Sequence, residues 1–502
     1  MNVTGSMPRH GHHAMRFLAW TIAIAAFLNV VFFTRWASDP VMRSDAWYFL
    51  DVFISKAIDG TLGLADFFVK RHGVDHAQPA NKLVLYMTWR YFHLDFVFEA
   101  LVGVFAAGVC MLLFHRFSVR AEGGQSVGLR RYVAWAAMGT VLFSMGTNMT
   151  WVWSLVTLEY VTFIPMLLFA WAVWTVWVSP SSMGYLLLAG ATLLLGVVND
   201  DSAWIVLLAV TMTCGVITLG DRTMRVRRAW KMFAVVMACM LMVRIGYVFA
   251  PVVGGAENPP LGSYLANLFV VGGHGAWWRW FAWPLLLSIL PESPFRWLNG
   301  TTWFVVECVV VMLLLLAHGW FWRRALCGNG NLAKFAAVFL MFMTYGWVVG
   351  ILIYRVSEYG NMYLYQHRYY SLYQFNLIAL LMMWAASDDV VTRPGGRLRR
   401  AVAVTPYVGV LVLLAVQTLF AVQGWRARVY SQAYYRQMAV QLWELSKNPD
   451  SIDGCLAELV ICNYPEPVRS RDIRLLHDHK LNVFSPEVQH WHRYLPRTSD
   501  AE

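Results

Sequence analysis

FLAWTIAIAAFLNVVFF (17–33), followed at once by TRWASDPVMRSDAWYFLDVFISKAIDG (34–60), decides the fold class. An α-helix rises about 1.5 Å per residue, so about 20 apolar residues cross about 30 Å of hydrocarbon. The first stretch carries no charge and suits that crossing, whereas the second opens with Arg35, Asp39, Arg43 and Asp45 and belongs outside it. The apolar run ends in Phe33-Thr34-Arg35-Trp36, with no small-residue cleavage site, and reads as an uncleaved anchor.

Outward from that boundary the apolar windows recur at 96–114, 132–147, 161–178, 183–199, 202–219, 232–250, 302–321, 335–354, 370–386 and 402–422. With the first, they predict an all-α polytopic membrane protein of about 11 transmembrane helices. Composition agrees: 58% of 502 residues are hydrophobic and 14% charged, more apolar surface than a soluble core of this size can hide. The expected organisation is a cytoplasmic N-terminus (1–16), a transmembrane domain (17–422) and a small periplasmic C-terminal domain (423–502). Long outer loops occupy 34–95 and 251–301; in the second, Leu261–Val271 and Trp277–Leu290 are broken by Gly272, Gly273, Gly275 and Pro284 and read as interfacial or re-entrant.

The net charge of +11 has its explanation in topology rather than in nucleic acid. Arg116 to Arg131, Arg222 to Lys231, Arg323 to Lys334 and Arg393 to Arg400 form four basic clusters, all on the side of the N-terminus. The positive-inside bias makes that side cytoplasmic. No phosphate-cradling Gly-x-x-x-x-Gly-Lys loop is present, which argues against an ATP-driven pump within this chain. Cys110, Cys214, Cys239, Cys308 and Cys327 lie in or beside spans and read as small hydrophobes, whereas Cys455 and Cys462 fall in the outer tail and read as a disulfide.

Chemistry is concentrated in the first outer loop. Trp47, Leu50, Ile54 and Ile58 recur at helical spacing, with Asp45, Asp51, Lys56 and Asp59 between them, predicting an amphipathic helix in the membrane interface. Asp66, Lys70, Arg71, His72, Asp75, His76 and Lys82 follow around Gly73 and Pro79. His72 and His76 would share a helix face for a metal, but Gly73 between them favours a loop. The pattern suits transfer of a group from a lipid phosphate: a carboxylate takes the proton of an acceptor hydroxyl, and cations hold the departing phosphate. Asp45 is the expected base, with Asp75 or Asp39 second. Arg355, His367 and Arg368, in YRVSEYGNMYLYQHRYY (354–370), are expected phosphate contacts or an interfacial anchor, and Lys82 and His76 further substrate contacts. Arg244 lies inside an apolar span and needs a counter-ion, Glu307 or Glu159, or else touches substrate. Asn199-Asp200-Asp201 either caps its hairpin or lines the same cavity.

This layout resembles the GT-C superfamily of polytopic membrane glycosyltransferases: an inside N-terminus, a long first outer loop with an early acid (Asp45 in RSDAWYFLD), interfacial helices and a small outer C-terminal domain. It is also similar to uncharacterised multi-spanning proteins of polysaccharide synthesis in DHAQP (75–79), HRYYSLYQF (367–375) and LLHDHKLNVF (475–484). The resemblance implies a bacterial inner-membrane enzyme that moves a sugar from a polyprenyl-phosphate donor to an extracytoplasmic glycan or lipid acceptor, with Asp45 as the loop acid. The paired acidic motif of many such enzymes is not evident, since Asp39 and Asp45 have no adjacent acid, so no cofactor is assigned and a divalent metal stays open. The alternatives are a transporter or flippase of a lipid-linked glycan, and a polysaccharide polymerase or ligase.

Overall fold

The computed structural model describes residues 9–70, 76–119, 129–221, 229–249, 260–273, 277–290, 300–327, 330–387 and 397–492. Every regular element among them is helical. The bundle is built from α1 (Arg9–Ala37), α2 (Phe96–Val119), α3 (Leu129–Leu142), α4 (Glu159–Val178), α5 (Ser182–Asn199), α6 (Ser202–Gly220), α7 (Ala229–Val248), α8 (Gly300–Ala325), α9 (Leu332–Ile351), α10 (His367–Ala386) and α11 (Arg397–Lys447). Among the described residues nine helices are long and apolar enough to cross a membrane. The protein is a multi-pass membrane protein.

α3 and α10 are not among those nine: α3 has only 14 residues, and the position of α10 explains its polar content. They pack against each other, α3 also on α1 and α10 on α9, so that both run through the middle of the bundle. A helix walled by other helices need not be lipid-soluble. α10 accordingly buries Ser371, Gln374 and Asn376. Asn376 Nδ2 donates to the Tyr373 carbonyl at 2.6 Å. At the other extreme, α7 and α8 turn large apolar side chains such as Phe233, Leu241, Met312 and Leu316 outward. Where α2 meets the segment before α4 the backbones touch: a Cβ on Gly103 would run into the Thr157 carbonyl.

Leu261–Gly272 and Trp277–Ile289 are helices of 12 and 13 residues, each too short to cross the hydrocarbon alone. They pack against the Leu352–Tyr365 region, and the second also packs on α10. α11 runs for 51 residues without a break, well past the expected end of the last span at 422. Only Gly424 weakens the joining segment, and it lets the chain approach Met145, whose Cε would lie 2.8 Å from an added Cβ. Trp425 Nε1 donates to Asn29 Oδ1 at 2.9 Å and ties α11 to α1 there.

The first loop does not lay its apolar face on lipid. Ala46–Phe49, Leu50–Ile54 and Ser55–Ile58 continue one another as helix, with a π-type middle. Trp47, Leu50, Phe53 and Ile54 are fully buried against Tyr435, Met438, Leu442, Ile473, Leu476 and Val488 of the tail. The amphipathic period specifies a covered face without saying what covers it. A tail of this length is too small for a large core of its own and completes one with the loop. Asn482 fastens the arrangement: its Nδ2 donates to Pro40 O at 2.5 Å and Leu94 O at 2.7 Å, and its Oδ1 accepts from Met42 N at 3.3 Å. Cys455 and Cys462 are joined by a disulfide, as expected, with their Cα atoms 6.6 Å apart.

Candidate functional site

Between this loop–tail layer and the bundle lies a cleft of about 480 Å³, counting its open mouth. Its polar lining is Asp39, Arg43, Asn81, Lys82, Glu99 and Ser154; Phe49, Phe96 and Trp153 are among its apolar walls. Four local features bring these groups together: the exit of α1, the helix Pro79–Phe92 that carries Asn81 and Lys82, the first turn of α2 and the bend at 152–158 that precedes α4.

Asp39 follows α1 by two residues and stands before Pro40, which disfavours continuation of the helix. Its Oδ1 accepts from Val41 N at 2.7 Å, closing a local Asx turn. Its Oδ2 is buried with no hydrogen-bond partner, and the residue is 2% exposed. Burial pushes the carboxyl up to about 7; the Arg43 charge and the Val41 N–H oppose the rise, while Glu458 and Asp95 add to it. Such a group accepts a proton near neutral pH. Glu99, in the first turn of α2, is also buried, and its Oε1 has no hydrogen-bond partner. Two unsatisfied acceptor oxygens in one cleft call for a ligand that brings donors, such as hydroxyl groups.

The two cations of the cleft behave differently. Arg43 is buried and donates from Nη1 to Glu458 Oε2 at 3.1 Å and Tyr435 Oη at 3.3 Å, and from Nη2 to Val152 O at 2.7 Å. Lys82 donates to Val69 O at 2.6 Å, Asp66 O at 3.1 Å and Phe67 O at 3.3 Å. Those three carbonyls match the three donors of an ammonium, so Lys82 shapes the wall by clamping the loop. Burial lowers its pKa to about 8, against the Asp66 charge.

A second cluster adjoins the first through the chain itself, since Leu158 lines the cleft and Glu159 begins α4. Arg368, at the start of α10, donates from Nη2 to the Tyr363 hydroxyl and lies over the Tyr363 and Tyr369 rings at 5.5 and 5.1 Å. Glu159 acts on Arg368 electrostatically, and Tyr369 feels the charges of both Arg368 and Arg355. Arg355 makes no hydrogen bond or ion pair among the described residues, which leaves its fork of donors for a ligand. His367 sets its ring edge-on to Tyr370 at 5.1 Å. The arrangement can hold an anion beside aromatic surface.

Arg244 finds neither of the counter-ions expected for it. It lies near the end of α7, level with the α5–α6 hairpin, and donates to Asp201 Oδ1 at 2.7 Å, Asp200 Oδ1 at 3.3 Å and Asp200 O at 2.6 Å. Lys70 adds contacts at 2.9 Å to Asp201 and 3.5 Å to Asp200. Asp200 takes the turn, with φ +47°, and its Oδ2 accepts from Ala77 N at 3.0 Å. The hairpin thus both makes the turn and locks the first loop to the bundle. Potential ligand atoms of His76, Asp200 and Asp201 lie within 4.8 Å of one another. Both carboxylates already carry Arg244 and Lys70, so a dication there would have to displace two fixed cations. The Asp39 cleft, walled by Arg43 and Lys82, does not suit a dication either.

Asp45 stands at the start of Ala46–Phe49, half-buried, and is not among the cleft-lining residues. Asp75, and with it His72, lies outside the described residues. Sequence reasoning missed Glu99, Arg43 and Glu458. Glu99 carries a readable signal, a lone acid in the apolar run FVFEALVGV (96–104), where a charge is functional by default. No protein-family model matches the chain, and no curated protein matches it.

Proposed function

We propose that this protein is a membrane glycosyltransferase of the GT-C type, using a polyprenyl-phosphate sugar as donor and an extracytoplasmic glycan or lipid as acceptor. The observation that carries the reading is Asp39, a buried carboxylate with one free oxygen in a cleft at the edge of the bundle, poised to ionise near neutral pH. Asp39 takes the proton of the acceptor hydroxyl as that oxygen bonds to the sugar's anomeric carbon. The bond from that carbon to the lipid phosphate breaks, and its electron pair leaves with the phosphate. Arg355 and Arg368 receive the anion, and the surrounding tyrosines take the isoprenoid near the membrane surface.

In this reading α10, and α3 with the chain that continues it through the turn Met145–Thr147, join the nine apolar helices as spans, giving about 11. The basic loops face the cytoplasm of a bacterial inner membrane, and the cleft, the loop and the tail face the periplasm. The Cys455–Cys462 disulfide fits that oxidising side.

The test compares envelope lipids and glycans by mass in cells carrying the wild-type protein or Asp39→Asn. The expected result is a sugar-sized mass present with wild type and absent with the variant, at equal membrane levels of both. Unchanged transfer with Asp39→Asn sinks the reading. Movement of a lipid-linked glycan across vesicles with no covalent product would replace it with transport.

A further inference from the structure

Arg43 belongs to the first loop, yet none of its hydrogen bonds reaches the carboxylate four residues away. Its Nη1 is engaged by Glu458 and Tyr435 of the tail and its Nη2 by Val152 O. The Glu458 backbone is pinned beside it, because Ser44 N donates to Glu458 O at 2.9 Å. Trp153 and Tyr435 lie 5.5 and 5.2 Å from the guanidinium carbon and fix its plane. Asp39 Oδ2 meanwhile stays unpartnered in the cleft that Arg43 also lines.

We propose that Arg43 is a positioning residue shared by cleft and tail: Glu458 and Tyr435 engage the guanidinium that would otherwise pair with Asp39, so docking of the C-terminal segment keeps Asp39 the basic group of the cleft. The tail is then part of the active site without touching substrate. This rests on the proposed role of Asp39 as proton acceptor.

The groups that bear on Asp39 come from several elements. Arg43 favours its charged form, and Glu458 and Asp95 oppose it. Asp95 in turn is held by His492 Nε2 at 2.8 Å. Tyr434 and Tyr435 of α11 feel the Asp39 charge, and Glu99 and Lys82 share its cleft. Of these, Glu458 can be neutralised while leaving the lining of the cleft in place. Without its charge the guanidinium is freed toward Asp39, and an opposite charge at close range depresses a carboxyl by about 1–3 pH units.

The experiment follows the titration of Asp39 without any sugar transfer. Dicyclohexylcarbodiimide adds to the protonated form of a buried carboxyl group: the carboxyl O–H adds across a C=N bond and the adduct rearranges to a stable N-acylurea, with nothing lost. Labelling of the Asp39 peptide is read by mass in the full-length protein in membranes across pH, with Asp39→Asn as the blank. In the wild type, labelling falls to half near pH 7. Glu458→Gln moves that midpoint down by about one unit or more. Tyr435→Phe, which removes only the other engaging group, moves it in the same direction and decides the matter where Glu458→Gln does not fold. An unchanged midpoint in the folded variants overturns the proposal. A shifted midpoint together with continued transfer by Asp39→Asn would instead keep the Arg43 arrangement and remove the proposed reaction.

Discussion

Replacing Asn482 by alanine should open the loop–tail layer, and the size of the effect follows from what the side chain holds. Asn482 is fully buried. Its amide satisfies the carbonyls of Pro40 and Leu94 and the N–H of Met42, two groups at the start of the first loop and one at its end. Alanine leaves those three backbone groups without this partner, at about 1–3 kcal/mol each where water cannot enter. Its backbone also sits at φ +55°, where asparagine is tolerated and alanine loses about a further 1 kcal/mol. Partial repair by water brings a realistic total to about 3–5 kcal/mol, or at least a hundredfold rise in the open population. The assay is limited proteolysis of the native protein in detergent under conditions where cleavage reports the open fraction. Asn482→Gly, which relieves the backbone but restores no hydrogen bond, should lie close to alanine. A rise of less than about tenfold in Asn482→Ala, or full rescue by glycine, would refute the account.

Three further outcomes are expected. Transfer should fall as pH drops through about 7, because Asp39 works as a base only when ionised and its carboxyl is raised to that value; a rate flat between pH 6 and about 8 contradicts this. Arg244→Met should cost about 1.5–3 kcal/mol, because the buried Asp200 carboxylate loses the guanidinium but keeps Lys70 and the Ala77 N–H; it is read as lost monodispersity on heating in detergent, with Arg244→Lys intermediate because it keeps the charge but not the fork. Cys455→Ser should lower the stability of the tail by about 2.5 kcal/mol through the reopened loop, measured as faster proteolysis after Lys447, with reductant reproducing the effect in the wild type.

Nine apolar helices among the described residues were legible because crossing hydrocarbon leaves a long, uniform mark on a sequence. α10 was legible too, but through Leu372 to Trp384 rather than through its polar members, whose burial depends on helices far away in the chain. The join between the last span and Tyr430 was not legible, since nothing in QGWRARV (423–429) distinguishes a continuing helix from a loop. Trp47, Leu50 and Ile54 announced a covered face but could not say that Leu442 and Leu476, rather than lipid, would cover it. Asp45 drew attention by position, whereas Asp39 is distinguished by burial, which no local pattern encodes. Arg244 shows the same gap: its partners come from a hairpin whose end meets α7 only in three dimensions.

α11 has one more consequence. It passes unbroken from the bundle into the loop–tail layer and carries Tyr435 at its far portion. Tyr435 lies about 20 Å beyond residue 422, so a swing of about ten degrees about that point would move it by about 3 Å. A stiff lever of that reach would turn a small tilt within the lipid into withdrawal of the tail from Arg43.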